Sequence, residues 1–443
     1  MNRSVGLPVA PKGTVVLVAQ FFPPLNIIGS QRAVRMAKVL LESYDCVIVI
    51  TQNQDFYAPS FLDHNYESDL FDHPNLVLIE AKSILSNYGL VEKRLWHHQV
   101  VGAVLTRVLC STGLDWIPDL NRKLASLVSQ QGSNIKDLKL VVATGSPFLP
   151  FFTVTRWAKE NTVKVILDYR DLWTGNPRAP YSRFFRYVTN RLIERPVNSS
   201  ATAIVTVSEG CKAVIDVYSK HMNKYVLYNS PDTGYIEYYR SHVLEMKNGR
   251  NKRTRKRKIV LTGQVYKECT FAPFLKGMLT LSKEKREQIE FHYYGNNSIQ
   301  AREEFCEFGL ESCLNDHGRV SKSESISAIL EADLLLSLIH TDSISKNPAV
   351  SGLLTTKVYD YFLSGNPILN ISPVDAEINK FARMIDYNPF YTFIAEDHVG
   401  IGALLIDLLD NSGLKSQKPL SVKMPNFSDD FRRILKQIED LKC

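Results

Sequence analysis

The sequence predicts an α/β chain built from two doubly wound, Rossmann-like domains, and three observations carry that reading. Its 443 residues exceed what one hydrophobic core usually supports. Apolar runs of strand length alternate with stretches of helical periodicity, as parallel strands joined by helices require. The alternation halts once, at a basic stretch, and then begins again.

The first run is Thr14-Val15-Val16-Leu17-Val18-Ala19, followed by the turn-rich Phe22-Pro23-Pro24-Leu25-Asn26 and Gly29. Ala33, Met36, Ala37, Leu40 and Leu41 then recur at the spacing of one helix face, and Cys46-Val47-Ile48-Val49-Ile50 is the next strand. After a long middle insertion come strands at 140–143, 163–167 and 203–207. Right-handed crossovers put the loops after Ala19, Thr144, Asp168 and Val207 on one sheet edge, the edge where such sheets bind ligands.

The second series opens with Ile259-Val260-Leu261-Thr262-Gly263 and continues through strands at 290–294, 333–338 and 367–371. Ser321 with Glu324 forms a capping box that starts a helix within it. The expected domains are residues 1–245 and 258–425, facing each other across a cleft and joined by a basic linker at 246–257. A last helix, 426–443, is expected to cross back to the first domain on a stripe of Phe427, Phe431, Ile434, Leu435 and Ile438.

The formal net charge of +7 suggests nucleic acid, but eight basic residues and no acidic one lie between Lys247 and Lys258, so the rest of the chain is close to neutral. A like-charged run of that kind is ordinarily a solvated loop, and no nucleic-acid partner is expected. The seven cysteines are scattered and form no C-x-x-C pair, which points to reduced thiols without a disulfide or zinc site. No run approaches the roughly 20 apolar residues that span a bilayer, and the first residues lack a signal-peptide core, so a cytoplasmic location is expected. No histidine dyad is evident, and His97-His98 and His292 receive no role.

Four segments, taken together, resemble glycosyltransferase family 4, the retaining enzymes of GT-B fold, and most closely those that build bacterial surface polysaccharides such as capsule and lipopolysaccharide. They are Gln20-Phe21-Phe22-Pro23-Pro24 with Gly29-Ser30-Gln31-Arg32; Leu167-Asp168-Tyr169-Arg170-Asp171-Leu172-Trp173; Ala203-Ile204-Val205-Thr206-Val207-Ser208-Glu209-Gly210; and the stretch from Thr356-Lys357-Val358-Tyr359-Asp360 to Gly365-Asn366-Pro367-Ile368. Trp116-Ile117-Pro118, Tyr228-Asn229-Ser230-Pro231-Asp232 and Gly318-Arg319-Val320 also look like family elements. The resemblance covers roughly residues 14 to 440. It implies hexosyl transfer from a nucleotide-diphosphate sugar to a glycan or polyprenyl-linked acceptor, with no resident cofactor.

Breaking the bond to a diphosphate builds negative charge on the leaving group, which cations and amide dipoles must meet. Lys267 and Lys357 are the candidates, aided by backbone N–H groups at the helix start near Leu354, Thr355 and Thr356, and metal-independent chemistry is expected. The resemblance makes Asp171 the acceptor-side carboxylate and places Gly29, Ser30, Arg32, Arg170, Gly263, Arg319 and Val320 around the substrates. Asp360 is assigned to the ribose hydroxyls, and since glutamate is the family's usual residue there, Asp360→Glu is expected to be mild. Two departures stand out: Gly352 where the family often has a first glutamate, and Gln264 where it often has an arginine. Glu377 reads as an N-terminal dipole partner.

Two segments mixing cations with large apolar residues, 93–98 and 183–187, suggest peripheral contact with the inner face of the membrane. The alternative functions are a binding protein that keeps the fold without catalysis and a nucleotide-sugar epimerase.

Overall fold

The computed structural model describes residues 13–53, 57, 61–84, 112–129, 137–176, 183–247, 256–265, 269–339, 352, 354–410 and 414–441. They form two compact units. The first holds the chain to Val207, then Cys211–Tyr228 and Phe427–Cys443; the second holds Ser208–Gly210 and Asn229–Asn426.

The first unit is built on a seven-stranded, wholly parallel sheet of order β3-β2-β1-β4-β5-β6-β7. Its strands are β1 (Thr14–Ala19), β2 (Cys46–Gln52), β3 (Leu76–Ala81), β4 (Leu138–Gly145), β5 (Lys164–Tyr169), β6 (Ala203–Thr206) and β7 (Lys224–Val226). The longer helices are α1 (Ile28–Ser43), α2 (Ile117–Ser129), α3 (Leu149–Glu160), α4 (Arg183–Thr189), α5 (Arg195–Ser199) and α6 (Glu209–Tyr218), with a π turn at Asn190–Glu194 between α4 and α5. β1 is buried along its whole length, as its unbroken apolar run requires of a central parallel strand.

The second unit carries six parallel strands in the order β10-β9-β8-β11-β12-β13. These are β8 (Arg257–Thr262), β9 (Ile289–Tyr294), β10 (Leu314–Asp316), β11 (Leu334–Leu338), β12 (Ile368–Ile371) and β13 (Phe390–Phe393). Its longer helices are α7 (Thr233–Lys247), α8 (Ala272–Leu279), α9 (Ser298–Glu307), α10 (Lys322–Glu331), α11 (Lys357–Ser364), α12 (Glu377–Met384) and α13 (His398–Leu409). The capping box at Ser321 is formed: its side chain accepts from the Glu324 N–H while the Glu324 carboxylate returns to the Ser321 backbone.

The last helix, α14 (Phe427–Glu439), lies in the first unit with all five residues of the expected stripe buried against α1 and the β1 and β2 core. Lys164 Nζ donates to the carbonyls of Ile438 and Glu439 at 3.2 and 2.8 Å, satisfying two acceptors that the end of α14 leaves open.

One expected boundary moves. The sequence extends the first domain to residue 245, but α7 belongs to the second unit, so the division falls after Tyr228. Tyr239 and Val243 of α7 are buried with Ile326, Leu330 and Leu363, and burial of that face holds the helix there. Part of the basic linker is also strand: Arg257 and Lys258 open β8, where Lys258 Nζ pairs with Glu331 Oε2 at 2.8 Å. The five cysteines among the described residues are free thiols, and none of the described helices is long and apolar enough to cross a membrane.

Candidate functional site

In each sheet the chain order reverses at one point, between β1 and β4 in the first unit and between β8 and β11 in the second. Loops diverging at the carboxyl ends of such strand pairs leave the crevice in which open α/β sheets bind ligands. Most of the candidate residues fall at these two places.

At the first, Arg32 turns out to be a core residue. It is 2 % exposed, with Nη2 donating to Asp168 Oδ1 at 2.7 Å, Nε to Oδ2 at 2.9 Å and Nη1 to the Leu227 carbonyl at 3.0 Å. Thr144 Oγ1 donates to the same carboxylate at 2.7 Å. This forked pair ties α1 to β4, β5 and the end of β7, and it leaves Arg32 inaccessible to an acceptor, contrary to its assignment as a substrate contact. Ser30 is likewise fully buried, its hydroxyl donating to the Ile27 carbonyl at 2.8 Å.

Gly29 and Arg170 do meet. The Arg170 guanidinium donates to the Gly29 carbonyl and, at 2.9 Å, to the Ser146 carbonyl, and lies over the Phe21 ring at 5.4 Å. A Cβ at position 29 would stand 2.9 Å from both Arg170 Nη1 and the Phe21 ring, so any larger residue would push one of these side chains aside. Burial lowers the pKa of Arg170 despite the neighbouring Asp171 and Asp168. Asp171 itself is half exposed beyond the end of β5, with Arg170 Nε 3.9 Å away.

At the second switch point Gly263 ends β8 with φ +80°, and its N–H donates to the Tyr294 carbonyl at 2.7 Å. The Lys357 stem runs beside it, with Cδ 3.5 Å from where a Cβ on residue 263 would lie. Desolvation lowers the Lys357 amine to a pKa of about 8. No carboxylate is paired with that amine among the described residues. Thr356 precedes the first residue of α11, Leu354 and Thr355 are half-buried just before it, and Thr355 Oγ1 is buried without a hydrogen-bond partner among the described residues. Arg319 is exposed and Val320 half-buried in the turn that leads to α10, while Lys267 lies outside the described residues.

Asp360 is not open to receive a ribose. It is 3 % exposed, and both oxygens are engaged: Oδ1 by the Tyr235 hydroxyl and Oδ2 by Lys322 Nζ, each at 2.5 Å. Its backbone carbonyl also accepts from Tyr239 at 3.1 Å. The family motif that singled out Asp360 carries no sign of α7, which supplies both tyrosines from more than a hundred residues away.

Of the two departures, Gly352 has a packing basis within the second unit. A Cβ at Gly210 would come 2.3 Å from the Gly352 Cα, and Ser208 Oγ donates to the Gly352 carbonyl at 2.6 Å. Backbone contact thus occupies the place where a first glutamate was expected. Glu377, fully buried, accepts from the N–H groups of Glu209 and Gly210 at 2.9 and 3.0 Å. It is a dipole partner, as its sequence context suggested, but for those amides.

A histidine pair escaped the sequence reading. His292 Nδ1 and His317 Nε2 share a 2.9 Å hydrogen bond, and Tyr294 stacks on His317 with ring centroids 4.2 Å apart. Burial and the Lys258 charge lower the pKa of both rings. The residues are 25 apart in sequence, joined only by the register of β9 and β10, so no local signal marks them.

No protein-family model matches the chain, and no curated protein matches it in sequence. Solved structures do resemble it. HepE of Anabaena in complex with UDP-glucose aligns over 97 % of this chain and 100 % of its own with a TM-score of 0.58 at 10 % identity. A glycosyltransferase from Rickettsia africae aligns over 97 and 98 % with a TM-score of 0.57 at 11 % identity. A putative UDP-N-acetylglucosamine 2-epimerase from Listeria monocytogenes aligns over 97 and 96 % with a TM-score of 0.50 at 11 % identity. The likeness is one of fold. It places the chain in the α/β class of two Rossmann-like domains, the GT-B architecture that the sequence predicted.

Proposed function

We propose that this chain is a glycosyltransferase that takes a hexosyl group from a nucleotide-diphosphate sugar. The observation that carries the reading is Lys357, a desolvated amine beside Gly263 at the β8/β11 switch point and at the start of α11. A cation held there can meet the charge that grows on a departing diphosphate. Lys267 and Arg319 are assigned to the same phosphates, Thr355 and Thr356 to hydrogen bonds from the start of α11, and Asp171 to orienting the acceptor hydroxyl. The UDP-glucose bound by HepE supports a uridine diphosphate sugar as the first donor to try.

The finer reading is family 4 chemistry with retention, independent of metal and cofactor, on a glycan or polyprenyl-linked acceptor at the cytoplasmic face of the membrane in surface-polysaccharide synthesis. The four sequence segments that resemble that family support it. The Listeria structure keeps an epimerase as the second reading.

The test incubates the chain with UDP-glucose and a panel of other nucleotide-diphosphate sugars, and follows the products by mass spectrometry. Slow release of the nucleoside diphosphate, lost in Lys357→Met, is the expected result. A sugar epimerised without release would make the chain an epimerase, and donor binding with neither outcome would make it a binding protein.

A further inference from the structure

Asp171 is the exposed side chain of an otherwise buried loop. It is 54 % exposed just past the end of β5, whereas Tyr169 before it and Leu172, Trp173 and Thr174 after it are buried. Arg170, between Tyr169 and Asp171, is turned inward onto the Gly29 and Ser146 carbonyls. A carboxylate that orients a reacting hydroxyl must be held to within about 0.5 Å of its place, and past the last residue of β5 side chains have to supply that restraint.

Downstream of Asp171 the restraint is Glu194, at the end of the π turn. It is 2 % exposed, and its Oε2 accepts from the Thr174 N–H at 3.2 Å, from the Thr174 hydroxyl, and from Asn190 Nδ2 at 3.1 Å. Asn190 Nδ2 also donates to Thr174 Oγ1 at 3.1 Å. Both donors of Thr174 thus end on one carboxylate. The Tyr169 hydroxyl makes a second tie to the same helical segment, donating to Asn198 Oδ1 of α5 at 2.6 Å. Phe148 stacks on both Tyr169 and Trp173, with ring centroids 5.4 Å apart in each pair, so the loop is fixed on both sides of Asp171.

Stability alone does not account for an acid in this position. An ionisable group in the core is unfavourable, and burial raises the Glu194 pKa, with the Thr174 and Asn190 hydrogen bonds opposing it. Those donors belong to the Asp171 loop and to the π turn itself, so what the carboxylate secures is the loop. π turns are rare and frequent at functional sites, and this one is closed by the Arg195 N–H on the Asn190 carbonyl five residues back.

We infer that Glu194 is a positioning residue, which through Thr174 fixes the loop on which Asp171 meets the acceptor hydroxyl. The inference rests on the transferase reading and on the part Asp171 is given in it.

The experiment measures nucleoside diphosphate release from UDP-glucose, or from whichever sugar of the panel turns over, with water as acceptor. It compares the wild type, Asp171→Asn, Glu194→Ala, Glu194→Gln and the double variant Asp171→Asn with Glu194→Ala, and follows diphosphate affinity by calorimetry. Displacing a reacting group by about 1 Å can cost about 100-fold in rate, so Glu194→Ala is expected to lower release at saturating donor by that order. Diphosphate affinity stays unchanged, since the phosphates are assigned to the second unit. Glu194→Gln, whose amide oxygen still accepts both Thr174 donors, restores most of the rate. In the Asp171→Asn background Glu194→Ala adds no further loss, because the two residues act as one. Losses that multiply, or an equal fall in diphosphate affinity, would make Glu194 a structural residue and overturn the inference. Thr174→Val, which keeps the side-chain shape and removes one donor, takes the place of Glu194→Ala should that variant not fold. A wild type that releases no diphosphate from any nucleotide sugar would instead remove the transferase reading, and with it this role for Glu194.

Discussion

Lys322 and Tyr235 each hold one oxygen of Asp360 at 2.5 Å, the lysine from the first turn of α10 and the tyrosine from α7, and the lysine amine lies 5.4 Å from the centre of the Tyr235 ring. The carboxylate therefore joins three helices of the second unit before any ligand arrives. Asp360→Ala removes two hydrogen bonds to a charged group and should destabilise the chain by about 2–3 kcal/mol, read as a lowered denaturant midpoint. Asp360→Glu, expected from the family pattern to be mild, should also be destabilising, because a longer side chain at a 3 % exposed position must push Lys322 or Tyr235 aside. A diphosphate affinity that drops in Asp360→Ala while the midpoint stays put would restore the ribose assignment.

Arg32 and Asp168 form a buried pair, and removing one partner leaves the other charged in the core. Arg32→Ala should cost about 3–5 kcal/mol in the unfolding of the first unit. Equilibrium denaturation monitored by tryptophan fluorescence measures it; a loss of activity with unchanged stability would return Arg32 to the substrates.

The Lys357 amine, at about 8, gives the diphosphate affinity a defined pH dependence. Below that value the amine is charged and binds phosphate; above it affinity should fall by about tenfold per pH unit. Titration calorimetry with UDP from pH 7 to 10, in buffers of different ionisation enthalpy, should also show proton uptake on binding near pH 8 to 9. A flat profile would place the phosphates elsewhere.

His292 and His317 both titrate below the ordinary histidine value near 6.5. The unfolded chain then takes up protons before the folded one does, so the pair's contribution is fully present above about pH 6.5 and is lost as pH falls through the lowered values. Melting temperature should decline from pH 7 to pH 5, and His292→Gln with His317→Gln should flatten part of that decline. Lys258 on β8, Glu290 beside His292 and Asp316 before His317 are the charges that set the balance.

Transfer should persist in excess chelator, since lysine and helix amides are assigned the part a divalent ion plays elsewhere. Activity abolished by chelator and restored by magnesium or manganese would refute that assignment.

Much of the fold was legible because buried parallel strands are written as unbroken apolar runs, and β1, β2, β4, β5, β8 and β11 are of that kind. The strands that went unnamed, β3, β7, β10 and β13, are the sheet edges, for the most part only partly buried and without such runs. The capping box at Ser321 and the stripe on α14 were legible for the same local reason: each is a spacing within one helix.

The site residues divide along the same line. Sequence by itself determined which residues stand at the carboxyl ends of strands, and so brought Gly29, Arg170, Gly263 and Lys357 to the two switch points. Only the tertiary structure decided what each side chain does there. Arg32 is spent on Asp168, Asp360 on Lys322 and Tyr235, and Glu377 on the amides of Glu209 and Gly210. Partners from 38 to 168 residues away make those contacts. A motif fixes where a polar group sits along the backbone, whereas its availability to a ligand depends on which distant donors the packing of other helices brings within hydrogen-bond reach.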